Sequence, residues 1–119
     1  MKRFLGKKKI LRIYINTLDK YNDKPLWEEI LQEAKSEKLA GATVIKAVAG
    51  LGAFAQLRSF KTWALAQELP LIIEIIDNET KIQDFIEHID TMIDNGLITL
   101  TDTEVIKYKH KNFNEQENK

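Results

Sequence analysis

The sequence predicts an α+β fold, in which two helices cover one face of a four-stranded antiparallel sheet in the element order β-α-β-β-α-β. Three observations predict it. Residues 9–16 alternate with period two, residues 71–77 are almost continuously apolar, and two stripes at helical spacing lie between strand-like segments. Right-handed β-α-β crossovers then place both helices on the same side of the sheet.

In the first strand, Leu11, Ile13 and Ile15 point one way and Ile10, Arg12 and Tyr14 the other. Residues 17–24 are rich in turn formers and read as a loop. Pro25 suits a first helical turn, where a missing N–H costs little. Trp27, Ile30, Leu31 and Ala34 make an apolar stripe with Glu28, Glu29 and Glu33 off it, so a helix is expected to about Leu39, with Gly41 as its stop. Residues 42–49 read as the second strand, and Gly50-Leu51-Gly52 breaks it. From Ala53 to Glu68 the pattern is ambiguous, and Pro70 closes the segment. Residues 71–77 form a third strand. Asp77 or Asn78 can cap the next helix, whose stripe is Ile82, Phe85, Ile86, Ile89 and Ile93. Asn95-Gly96 fits a left-handed helix stop. Two short strands are expected over 97–101 and 104–108, parted by a turn at Asp102-Thr103, the second being a short C-terminal addition to the four-stranded sheet.

This arrangement leaves one sheet face bare. Arg12, Tyr14, Val44, Lys46, Val48, Ile72, Glu74 and Ile76 are expected on it. Such a mixed patch is large for a lone chain, and identical subunits are the simplest cover. Arg12, Lys46 and Glu74 are expected to share a row, with Tyr14 beside them, as interface residues. A buried charge needs its partner, so Glu74 should matter more than an ordinary surface residue.

Composition narrows the function. The 119 residues, 44 % apolar and 30 % charged, fit one domain, expected over 1–111 with a long loop at 50–69 and a polar, disordered tail at 112–119. A formal net charge of zero argues against a general nucleic-acid binder. There is no cysteine and no apolar run of the roughly 20 residues a membrane span needs, and Lys7-Lys8-Lys9 interrupts any secretory signal. The expected location is cytoplasmic. Two distant histidines, His88 and His110, give no metal-ligand spacing, so no metal is expected. No nucleophile–base pair is apparent, so catalysis and catalytic residues are not expected.

Several stretches together are similar to the PII-like family catalogued as domain of unknown function 190. They are Leu11-Arg12-Ile13-Tyr14-Ile15, Asp19-Lys20-Tyr21, Lys24-Pro25-Leu26, Leu39-Ala40-Gly41-Ala42-Thr43-Val44, Gly50-Leu51-Gly52-Ala53, Leu69-Pro70 with Ile73-Glu74-Ile75, and Glu104-Val105-Ile106-Lys107-Tyr108. They span about residues 5–108. Asp23 stands where that family often has glycine. The resemblance implies a ferredoxin-like, trimeric fold whose open sheet face turns into the trimer, and regulatory binding without catalysis. PII proteins hold adenine nucleotides in clefts between subunits. The segments corresponding to those cleft walls are 50–69, Asn95 to Asp102, and Lys107 with Lys109. No cofactor is required on this reading, and an adenine nucleotide is a plausible ligand.

The individual residues allow a second reading in each case. Gly50 and Gly52 would let backbone N–H groups approach an anion, or simply mark a strand exit. Lys107 and Lys109, alternating on a strand, would hold a phosphate or protect a sheet edge. Arg58 and Lys61 would bind a ligand or lie in solvent, and Trp63 would stack on a ligand or a neighbouring subunit. Three other uses of this fold are disfavoured. The loop 17–24 lacks the glycine and arginine of an acylphosphatase, the third strand lacks the stacking aromatics of an RNA-recognition module, and no ligand cluster supports a metal-tolerance trimer. The expected function is a trimeric sensor of a small anionic ligand acting on a partner protein. The alternative is a ligand-free structural trimer whose long loop contacts a partner such as a membrane transporter.

Overall fold

The computed structural model describes residues 5–51, 57–59 and 69–109, with side chains described at all of these except 49–51 and 57–59. The elements are β1 (Gly6–Asn16), β2 (Lys20–Tyr21), β3 (Lys24–Pro25), α1 (Leu26–Ser36), β4 (Thr43–Lys46), β5 (Ala49–Leu51), β6 (Leu57–Ser59), β7 (Pro70–Asp77), α2 (Glu79–Asp90) and β8 (Leu97–Val105). The main sheet has the order β4-β7-β1-β8, and all its pairs are antiparallel. The predicted α+β fold, two helices on a four-stranded sheet, is the observed one.

The alternation of β1 sets the core. Leu11, Ile13 and Ile15 are buried on the helix side, level with Ile75, Ile73 and Leu71 of β7. Against them pack Leu26, Ile30 and Ala34 of α1 and Ile82, Phe85 and Ile89 of α2. Trp27 is half-buried against this cluster, as its place in the stripe predicts.

Several local expectations are corrected. The expected strands 97–101 and 104–108 are one strand, because Asp102 and Thr103 pair with Lys9 and Lys8 without a turn. Residues 106–109 follow it outside the sheet, so Lys107 and Lys109 are not strand residues. Pro25 precedes α1 as a strand residue, and Leu26 N–H donates to the Asp19 carbonyl at 2.8 Å.

The turn chemistry also differs from expectation. Asn22 and Asp23, with φ of 52° and 65°, join β2 to β3 as a two-residue hairpin with both φ values positive. Residue 23 thus occupies a glycine-favouring conformation. α1 stops three residues before Leu39, not at Gly41. Lys38 takes the left-handed position at φ 60°, Lys38 N–H donates to Lys35 O, and Leu39 N–H donates to Ala34 O, both at 3.1 Å. This is a Schellman closure made with lysine. Gly96 is not in the left-handed region. It is needed because an added Cβ would lie 2.9 Å from the Tyr14 carbonyl oxygen and 3.1 Å from Ile93 Cγ2.

Two outcomes follow for stability. Lys38→Gly should raise unfolding free energy by about 1 kcal/mol, since a left-handed side chain costs roughly 1–2 kcal/mol and glycine returns part of that as entropy. Gly96→Ala should lower it by about 2 kcal/mol through the clash with β1. Urea unfolding of both variants against the parent chain measures each.

Candidate functional site

The bare sheet face is built in rows by the strand register. One row is Thr101–Ile10–Ile76, the next Thr99–Arg12–Glu74–Thr43, the next Leu97–Tyr14–Ile72–Ile45. Arg12 Nε donates to Glu74 Oε2 at 2.9 Å, and the two side chains are 33 % and 26 % exposed. An ion pair that open contributes only about 0–1 kcal/mol in the isolated chain. It is flanked by apolar rows in which Ile45 and Leu97 are exposed and Ile10, Tyr14, Ile72 and Ile76 half-buried.

Of the expected face residues, Arg12, Tyr14, Ile72, Glu74 and Ile76 are there. Lys46 and Val44 are not. They pair with Leu71 and Ile73, so both lie on the helix side, and Val44 packs on the core. Lys46 therefore does not share a row with Arg12 and Glu74; Thr43 takes that place. Strand parity is all-or-none, and an assumed register one residue out reverses every side chain. Val48 lies past the end of β4 and is exposed.

The root of the long segment sits where β1 ends and β7 begins. Ala47 N–H donates to Pro70 O, Thr17 N–H to Leu69 O, and Leu69 N–H to Thr17 Oγ1, each at 2.9 Å. Immediately beyond, β5 and β6 pair with Gly50 opposite Arg58. Asn95 and Gly96 reach the same end of the sheet, since Gly96 rests on Tyr14 and Leu97 pairs with it. Gly50, Arg58, Asn95 and Gly96 are thus brought to one end. Gly52, Lys61, Trp63 and the tail at 112–119 lie outside the described residues.

Lys107 and Lys109 are exposed at the opposite end, because β8 runs its nine residues away from Leu97. That is roughly 26 Å at about 3.3 Å per residue. There the two ends of the domain meet, with Gly6 paired to Val105. Lys7, Lys8, Lys9, Glu79, Asp102, Thr103 and Glu104 line a cleft. The lysines are largely engaged. Lys9 bonds Asp102, which holds that carboxyl below its usual range, and buried Lys8 donates Nζ to Leu5 O at 2.9 Å. This is a neutralised corner, not an anion site complete in itself.

One cluster was not anticipated from sequence. His88 of α2 bonds through Nδ1 to Glu37 Oε2 at 2.8 Å, and Glu33 lies one helical turn before Glu37. The hydrogen bond to Glu37 pushes the His88 pKa up, and contact with Glu37 pushes the Glu33 carboxyl up. The i, i+4 spacing of Glu33 and Glu37 was readable; the partner 51 residues away was not.

Residues 8–105 match the model of the family described as DUF190, Uncharacterized ACR. The chain belongs to this family. It is 45 % identical over 100 residues to a UPF0166 protein of Aquifex aeolicus, covering 84 % of this chain and 94 % of that protein. It is 36 % identical over 102 residues to a UPF0166 protein of Methanocaldococcus jannaschii, covering 85 % and 94 %. The DUF190 chain also shares its fold with CPII, a nitrogen regulatory PII-like protein from Thiomonas intermedia K12. The structure of CPII bound to ADP, AMP and bicarbonate superposes with a TM-score of 0.68 at 15 % identity, over 87 % of this chain and 92 % of that one. CPII bound to ADP and bicarbonate gives 0.66 at 16 % identity, over the same shares. Among the described residues no helix is long and apolar enough to cross a membrane.

The His88 contact gives a pH-dependent outcome. Its folded-state pKa is raised above the usual 6.5, so its stabilisation is complete below pH 6.5 and is lost as pH rises through the folded-state value. Glu37, Glu33 and Asp84 face the ring and all favour its charged form. An NMR titration in chelator-treated buffer should place the His88 midpoint above 6.5, and Glu37→Gln should bring it down.

Proposed function

We propose that this chain is a PII-like regulatory protein without catalytic activity, acting in the cytoplasm as a homotrimer. It senses a small anionic ligand, an adenine nucleotide being the best candidate, and passes the signal to a partner protein through the 50–69 segment. The observation that carries the reading is the division of the site between the two ends of the sheet. Gly50, Arg58, Asn95 and Gly96 lie at one end and Lys107 and Lys109 at the other. Along β8 these ends stand roughly 26 Å apart, too far for one chain to close both around one nucleotide. Copies packed through the Arg12, Tyr14 and Glu74 face would bring the basic end of one chain to the loop end of the next.

The fold shared with CPII, whose structures hold ADP, AMP and bicarbonate, supports nucleotide and bicarbonate as the first ligands to try. Glycine at 50 and 52 would leave backbone N–H groups open to phosphate oxygens, and the lysines would supply the countercharge. The second reading is a ligand-free trimer that docks a partner, such as a membrane transporter, through the same loop. The pinned root of that segment, at Thr17, Leu69, Ala47 and Pro70, serves either reading.

Calorimetric titration of the purified protein with ADP, AMP and bicarbonate separates them. Saturable binding of one nucleotide, weakened about tenfold by Lys107→Ala, is the expected result, since one charge-assisted hydrogen bond is worth about 1.5–3 kcal/mol. No binding of any of the three, in a folded chain, would favour the docking trimer.

A further inference from the structure

The outer helix layer carries a constellation that the nucleotide reading does not use. We propose that Glu33, Glu37 and His88 form a binding site for a divalent transition-metal ion that clips the end of α1 to α2.

The donor set is two carboxylates and one imidazole, the mixed oxygen and nitrogen set that suits Zn²⁺ and its neighbours, while Mg²⁺ and Ca²⁺ prefer oxygen alone. One ligand atom from each residue lies within 4.8 Å of the other two. In a tetrahedral site with bonds of about 2.0–2.2 Å, ligand atoms stand roughly 3.4 Å apart. Reaching that spacing means opening the 2.8 Å contact between His88 Nδ1 and Glu37 Oε2 and drawing in any pair that stands nearer the 4.8 Å limit.

The donors sit on rigid supports. Glu33 and Glu37 lie one turn apart, and Glu37 N–H donates to Glu33 O at 3.0 Å, which fixes their spacing. The closure at Lys38 and Leu39 anchors this end of α1. Ala34 and Ile30 of α1 and Phe85 and Ile89 of α2 are buried in the core on either side. A further tie, Lys81 Nζ to Lys38 O at 2.7 Å, holds the same helix end to α2. Glu37 is the more enclosed of this pair, its side chain 18 % exposed against 57 % for His88.

The nitrogen donor separates this constellation from an ordinary acidic surface. Two carboxylates at i, i+4 repel, and a ring 51 positions away in sequence is delivered to them by the packing of a second helix. A protonated imidazole offsets one negative charge; a dication offsets both. Three protein ligands leave the remaining position to water, the pattern of an accessible exchangeable site and not of a closed structural one. Because the helix layer lies opposite the open sheet face, the ion would act on α1 and α2 without touching the proposed subunit contacts.

The test is titration of the chelator-treated, full-length protein with Zn²⁺, followed by calorimetry and by thermal melting. Saturable binding of one Zn²⁺ per chain that raises the melting temperature is expected. Glu37→Gln and His88→Ala, each removing one proposed ligand, should each weaken it about tenfold or more, with unchanged circular dichroism confirming the fold. His110→Ala, removing the only other histidine, should leave it unchanged. Absence of saturable Zn²⁺ binding to the parent chain, or binding that survives His88→Ala undiminished, would overturn the assignment.

Discussion

Everything else in this molecule depends on the register of β1. It is an inner strand of the sheet, paired through Lys9–Asn16 with β7 and through Gly6–Tyr14 with β8, apolar on the helix side over Leu11 to Ile15 and mixed on the other. Leu11, Ile13 and Ile15 are consumed by the helices. Ile10, Arg12 and Tyr14 are left on the other side with their neighbours Ile76, Glu74 and Ile72. A slip of one residue in β1 would exchange its two sets and put Arg12 beneath the helices, parted from Glu74 of β7, where an unpartnered charge costs several kcal/mol. The buried face therefore fixes the register, and the register in turn dictates what the open face presents.

That face has a consistent design. A single ion pair lies between two apolar rows, and nothing among the described residues covers it. In an isolated chain the pair is screened and worth little. Enclosed between copies, it would reject any packing that left either charge unmatched, which is how a polar pair in an apolar interface selects one arrangement over others. The same assembly would supply what one sheet lacks, a basic segment beside the root of the long loop. On this view the ligand site and the subunit contact are one device.

Much of the fold was legible in the sequence because period-two and helical apolar patterns are strong over β1, β7, α1 and α2. What was not legible involved single residues. Thr43 to Lys46 is only four residues long and apolar on neither face consistently, so the sequence does not carry its parity, and pairing with β7 puts Lys46 on the helix side. Asp102 and Thr103 looked like a turn, yet pairing with the long strand β1 kept them extended. Among the described non-glycine residues the left-handed positions fell to Asn22, Asp23 and Lys38; hairpin geometry favours the first two, the helix end imposes the third against propensity, and Gly96 serves close approach to Tyr14. For the candidate site, the segments around Gly50, Arg58, Asn95 and Gly96 came together as their place in the topology requires. The separation of Lys107 and Lys109 from them follows from the length of β8, which runs through Asp102-Thr103 as one strand. Glu33, Glu37 and His88 could not have been grouped without the helix packing.

The most direct measurement is the molar mass of the purified chain by light scattering at micromolar concentration, for the parent and for Arg12→Glu. The account predicts three times the chain mass for the parent. It predicts a smaller species for the variant, in which two carboxylates would face each other in the enclosed row. A parent chain that runs as a monomer, its open face bare in solution, would contradict it.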